Sequence, residues 1–98
     1  IPCKAPYSTH VYHQYTLQVA DGKRDDLQQY LKEKGIPSMV YYPLPLHKQA
    51  AFYGFSRIGS VLSVSERLVQ SVLSLPIHTE MTDEEVDYII ETLRNYGK

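Results

Sequence analysis

From Val11 to Val19 the chain alternates strictly. Val11, His13, Tyr15, Leu17 and Val19 share one face, and Tyr12, Gln14, Thr16 and Gln18 share the other. A period of two over that length predicts a half-buried strand. The ten residues before it, with Pro2, Pro6, Ser8 and Thr9, read as an irregular lead-in. Asp21-Gly22 then turns the chain, and the period changes. Leu27, Tyr30 and Leu31 fall at i, i+3 and i+4, which puts one apolar stripe on a helix from about Arg24 to Lys34. Asp25 and Asp26 occupy its first turn, where acidic groups favour the positive end of the helix dipole. Gly35 supplies a left-handed stop and Pro37 bars resumption. Met39-Val40-Tyr41-Tyr42 reads as a second strand that runs into Pro43.

Beyond this point the pattern runs in shorter segments but is still legible. His47 to Phe55 can hold one or two helical turns, with Ala50, Ala51, Phe52 and Tyr53 supplying contacts, and Gly54 and Gly59 bracket a polar loop. Ser63-Val64-Ser65-Glu66 matches a capping box, and Val64, Leu68, Val69 and Val72 suit a helix of two to three turns behind it. Leu73-Ser74-Leu75-Pro76 reads as a short extended stretch. Thr82-Asp83-Glu84-Glu85 is a second capping box, with Met81 and Val86 placed as a hydrophobic staple across it. Val86, Ile89, Ile90 and Leu93 form the stripe of the last helix, and Gly97 ends it. The order predicts an α+β fold: a small two-layer domain whose short antiparallel or mixed sheet is covered by helices on one face.

Composition narrows the possible functions. Ninety-eight residues suffice for one small core. Ten basic against 11 acidic residues leave a net charge of −1, without the basic stripe of a nucleic-acid binder. A hydrophobic content of 43% excludes a disordered chain. No apolar run approaches the roughly 18 residues that span a bilayer, and nothing resembles a signal peptide. Cys3 has no internal partner for a disulfide, which fits a reducing compartment. The chain opens on Ile1 with a strand-like segment close behind, and the expectation is a piece of a longer polypeptide.

One stretch stands apart from these patterns. Val40-Tyr41-Tyr42-Pro43-Leu44-Pro45-Leu46-His47 sets two tyrosines, two prolines and a histidine in eight residues. Each proline fixes its own φ and biases the preceding residue toward extended geometry. Tyr41, Tyr42 and His47 are therefore expected along a stiff, extended rod, as a ligand-facing wall or as a brace between domains. His13, on the apolar face of the first strand, reads either as a buried seam histidine or as a substrate contact. Arg57 and Arg67 could grip an anion, or simply be solvated. Zinc normally takes three or four ligands at defined spacing, whereas His10 and His13 fall on opposite strand faces and His47 and His78 on distant loops, so no metal site is expected. No serine stands in a glycine-flanked elbow, and the five glycines form no phosphate loop. A Schiff-base lysine needs a desolvated pocket, and only Lys48 lies near the aromatic rod. No catalytic residue is expected in this chain.

Taken together, these segments resemble a known family. His10-Val11-Tyr12-His13-Gln14-Tyr15-Thr16-Leu17, Arg24-Asp25-Asp26-Leu27, Leu31-Lys32-Glu33-Lys34-Gly35-Ile36-Pro37 and the rod through His47 are similar, in order, to the carboxy-terminal domain of the DegT/DnrJ/StrS sugar aminotransferases. The Glu66 helix, Val72-Leu73-Ser74-Leu75-Pro76-Ile77-His78 and Thr82-Asp83-Glu84-Glu85 continue the match. The resemblance implies a fold-type I, pyridoxal-phosphate enzyme. It would move an amino group, commonly from glutamate, onto a nucleotide-linked keto-sugar, as a cytoplasmic homodimer serving cell-surface polysaccharide biosynthesis. Residues 1–98 would be its small domain, with the cofactor held by a large domain absent from this chain and none expected on the chain alone. Tyr41, Tyr42 and His47 would bind on the sugar side of the cleft, and His13 would support the domain seam. Family members often carry His-Tyr where this chain has Tyr41-Tyr42; the departure keeps a ring and a donor but loses an imidazole. The bridge from Ser56 to Ser63 also departs from the usual Phe-Pro lead into the next helix. The rival expectation is a free-standing α+β module that binds a metabolite or a protein without catalysis.

Overall fold

The computed structural model describes residues 1–52, 54 and 61–98. Its regular elements are β1 (Tyr15–Gln18), α1 (Arg24–Glu33), two 3-10 turns (Leu46–Lys48 and Ala50–Phe52), α2 (Ser63–Ser71), β2 (Val72–Leu75) and α3 (Asp83–Asn95). β1 and β2 pair antiparallel, with Tyr15 opposite Leu75, Thr16 opposite Ser74, Leu17 opposite Leu73 and Gln18 opposite Val72. The architecture is the expected small α+β domain.

That register sorts the side chains onto two faces. Leu73 points to one and is fully enclosed with Leu27 and Leu31 of α1 and with Ile36. Val19, Leu75, and Ile89 and Leu93 of α3 pack around this cluster. Tyr30 ties the two helices together: its ring lies 5.3 Å from that of Tyr96 and its hydroxyl donates to the Thr92 carbonyl at 3.4 Å. The opposite face carries Thr16 and Ser74, whose hydroxyls bond across the strands at 2.8 Å. Ser74 is buried, and this bond gives its hydroxyl the partner that burial requires.

The end of α1 shows how a local signal places a tertiary contact. Gly35 adopts φ 75°, its amide donates to Lys32 O at 3.0 Å, and the Ile36 amide donates to Leu31 O at 2.9 Å. Those two bonds make a Schellman cap, and the apolar pair that accompanies it, Leu31 and Ile36, is half of the buried core. Arg24, at the other end of the helix, donates from Nη1 to the carbonyls of Val69 and Val72 at 3.2 and 3.3 Å. It thereby caps the carboxyl end of α2 with a cation, the favourable sign there.

Several expected boundaries move. The first strand is shorter than its alternation. Tyr12 sits at φ 47°, its amide on His10 Nδ1 at 2.8 Å and its ring stacked on the imidazole. That left-handed turn interrupts the extended run, and β2 offers only four partners. His13 is therefore exposed ahead of the strand rather than held on a buried face. The second strand reduces to one bridge, in which Met39 and Ser74 exchange backbone bonds of 3.0 and 2.7 Å. The chain bends at Tyr41, two residues past that bridge, and beyond it Pro43 and Pro45 have no N–H with which to resume a ladder. The rod is not straight either, since the chain bends at Tyr41, Pro43 and Leu44.

The two capping boxes part company. At α3 both bonds form: Glu85 N donates to Thr82 Oγ1 at 3.2 Å, and Thr82 N to Glu85 Oε2 at 2.9 Å. At α2 the cap is Leu62, with no side-chain bond, so Ser63 is already helical and Glu66 lies one residue beyond the capping position. The α3 stripe is also less covered than its periodicity suggests. Ile89 and Leu93 are half-buried, while Val86 and Ile90 stay exposed, beside Leu17 and Leu75 of the sheet, in an apolar groove of about 460 Å³. The radius of gyration, 16.1 Å, exceeds the roughly 13 Å of a closed domain this size. The fold leaves apolar surface open.

Candidate functional site

The bent proline segment, the first 3-10 turn and α2 enclose a cleft of about 610 Å³ over the sheet face opposite α1 and α3. Thr16 and Val72 form its floor. Ser65, Leu68 and Val69, one stripe of α2, form one wall, and Tyr41, Tyr42 and Pro45 form the other, with His47 at the end. The three residues singled out from the sequence, Tyr41, Tyr42 and His47, thus meet in a single concavity. Their presentation differs. Tyr42 is 71% exposed and Tyr41 43%, whereas the His47 side chain is only 12% exposed. The two tyrosine rings stand edge to face, centroids 6.0 Å apart at 77°. This arrangement offers two phenolic hydroxyls and flat apolar ring faces to a ligand that is part polar and part hydrocarbon.

His47 is held from behind. Its Nε2 lies 3.1 Å from Oε1 of Glu66, and the Lys48 ammonium reaches the same oxygen at 3.1 Å. The hydrogen bond from His47, followed by the bond and charge of Lys48, holds the Glu66 carboxyl below the usual carboxylate range. An ionised carboxylate can only accept, so Nε2 carries the proton in this contact. The turn bearing these residues is closed by Lys48 N to Pro45 O at 2.9 Å, and Gln49 Nε2 donates to Leu44 O at 3.3 Å.

The remaining candidates lie elsewhere. His13 lines a neighbouring depression of about 250 Å³ with His78, and Tyr41 borders both concavities. Arg67 is exposed on α2 and does not line the cleft. Arg57, with Tyr53, Phe55 and the bridge from Ser56 to Ser60, lies outside the described residues. The Lys48 side chain is half exposed and paired with Glu66. A solvated, ion-paired ammonium is not the desolvated amine that a Schiff base requires. Among the described residues, no three His, Cys, Asp or Glu side chains are grouped to hold a metal, and no helix is long and apolar enough to cross a membrane. Glu66 and Thr16 were not site candidates from sequence. Thr16 carries the signature of an outward strand position, and Glu66 that of a cap.

Comparison with known proteins places this cleft in context. Residues 2–94 match the DegT/DnrJ/EryC1/StrS aminotransferase family. A pleiotropic regulatory protein of Geobacillus stearothermophilus is 42% identical over 87 residues, which are 89% of this chain and 23% of that protein. The dTDP-3-amino-3,6-dideoxy-alpha-D-galactopyranose transaminase of Aneurinibacillus thermoaerophilus is 33% identical over 99% of this chain and 26% of its own length. Among solved structures, S. venezuelae DesV, in complex with a ketimine intermediate, superposes with a TM-score of 0.83 at 30% identity, over 95% of this chain and 24% of that one. The chain thus spans about a quarter of the length of the relatives it matches. With the match running through nearly every residue and the fold shared at high similarity, the chain belongs to the DegT/DnrJ/EryC1/StrS aminotransferase family.

Proposed function

We propose that this chain is the carboxy-terminal small domain of a pyridoxal-phosphate-dependent aminotransferase acting on a nucleotide-linked keto-sugar, and that its cleft shapes the sugar side of the active site. The observation that carries this reading is the meeting of Tyr41, Tyr42 and His47 in one concavity of a chain belonging to this family. Relatives named as transaminases of dTDP- and UDP-linked sugars support the substrate class. Pyridoxal phosphate, held by the rest of the polypeptide, supplies the electron sink for amino transfer, commonly from glutamate. The residues of this chain do other work. The tyrosine rings cover the sugar and exclude water, their hydroxyls bond its polar groups, and His47 presents an imidazole edge.

On this reading the apolar groove between the sheet and α3 faces the remainder of the same polypeptide, His13 lies near that seam, and the whole enzyme is a cytoplasmic homodimer. The open apolar surface of the fold supports a seam of this kind. The test uses the intact polypeptide and both half-reactions, with dTDP- and UDP-linked 3-amino sugars as probes. Tyr41→Ala is expected to raise the sugar KM about tenfold and leave the glutamate half-reaction unchanged. Equal effects on the two halves would refute the sugar-side assignment.

A further inference from the structure

The contact between α2 and the first 3-10 turn is the strongest polar feature that the reading above does not use. A three-residue turn is a weak platform, because one or two backbone bonds hold it and its side chains are free to re-orient. His47 is nonetheless held by a partner 19 residues away in sequence, on a helix of nine residues. The Glu66 side chain is released for this task because Leu62, not Ser63, caps α2, so no capping bond competes for the carboxylate. Lys48 reaches the same oxygen from the adjacent turn position, so the carboxylate grips two successive residues at once. The His47 side chain is shielded while that of Glu66 stays open to water, and an ionised acceptor makes the bond between them charge-assisted.

We propose that Glu66 is a positioning residue for the sugar subsite: it holds His47 by Nε2, leaving Nδ1 as the ring's acceptor for a sugar hydroxyl. The consequence follows from imidazole chemistry. A neutral ring with its proton on Nε2 has a lone pair only at Nδ1, so the second edge accepts and does not donate. Glu66 thereby selects the tautomer as well as the orientation. A subsite built in this way favours a hydroxyl or amine hydrogen over a carbonyl oxygen at the sugar position it meets. This inference rests on the placement of His47 at the sugar side.

The experiment uses the intact polypeptide with 15N-labelled histidine, and His47→Gln identifies the His47 signals. In the unsubstituted protein, His47 is expected as the single tautomer protonated at Nε2. In Glu66→Ala it becomes a mixture of both, with the sugar KM raised about tenfold and the glutamate half-reaction unchanged. Glu66→Gln, which keeps an acceptor oxygen for Nε2–H, recovers most of the KM. An unchanged His47 tautomer in Glu66→Ala overturns the proposal. So does an equal loss in both half-reactions that glutamine does not recover, since that marks a purely structural residue. A tautomer that is released while the KM stays fixed supports the clamp and instead overturns the sugar-side placement of His47.

Discussion

The same four-residue signature occurs twice in this chain, and the structure uses it once, so paired substitutions separate motif from geometry. Thr82→Ala removes the acceptor for the Glu85 amide, a bond of 3.2 Å, and leaves the reciprocal bond from the Thr82 amide to Glu85 with a less constrained partner. Loss of a threonine cap costs about 1 kcal/mol, within a range of roughly 0.5–2. The site is exposed, so the amide can turn to water and the value belongs near the middle of that range. One kcal/mol is about a fivefold rise in local opening. Ser63→Ala is the contrast. Ser63 lies inside the helix and makes no cap bond, while alanine is the better helix former by a few tenths of a kcal/mol. Its replacement is therefore expected to be neutral or slightly stabilising. Amide hydrogen exchange followed by mass spectrometry reads both helices in one sample. Peptides covering Glu85 and Val86 are expected to exchange about five times faster in Thr82→Ala, and peptides covering Ser65 to Leu68 to hold or slow in Ser63→Ala. Comparable acceleration at both sites would refute the assignment of Leu62 as the α2 cap, and with it the freedom of Glu66 to reach His47.

The core and the Glu66 clamp each carry a further expected outcome. Leu73→Ala empties a fully enclosed position among Leu27, Leu31 and Ile36; the loss is expected at about 2–5 kcal/mol, read as a lower urea midpoint, and a shift below about 0.5 kcal/mol would contradict so small a core depending on it. The pH dependence of the clamp has a definite sign. The folded Glu66 pKa is depressed, chiefly by the bond from His47 and then by Lys48. Its contribution is therefore complete above the unfolded value of about 4.3 and is lost as pH falls through the lower folded value. Exchange protection of the Leu46–Lys48 turn should fall in that acid window in the unsubstituted protein and stay flat in Glu66→Gln; parallel curves would count against the linkage.

What could be read from the chain alone followed the range of the forces involved. The stop of α1 is written in neighbouring residues, Gly35 and Pro37, and it stands as expected. So does the cap of α3, whose partners are three residues apart. The length of β1 was not legible, because it depends on a partner strand of four residues and on a left-handed turn at Tyr12. The second strand failed for a related reason. Tyr41 and Tyr42 have the right residue types, but the chain bends at Tyr41, two residues past the single bridge at Met39, and the prolines beyond cannot resume a ladder. The site was legible where one segment carried it, through Tyr41, Tyr42 and His47. It was not legible at Glu66, where a local pattern pointed to capping while the acceptor was claimed from 19 residues away. Thr16 reads as an outward strand position, and so it is; the outward face is the cleft floor.

The wall of the cleft hangs between two posts. At one end Met39 is pinned to Ser74 by a pair of backbone bonds; at the other His47 and Lys48 are pinned to Glu66. No side chain from Tyr41 to Leu46 belongs to the buried core, and none takes part in the β1–β2 ladder. Side-chain substitutions at Tyr41, Tyr42, Leu44 and Leu46 are therefore expected to leave both posts, and the fold behind them, with their contacts intact.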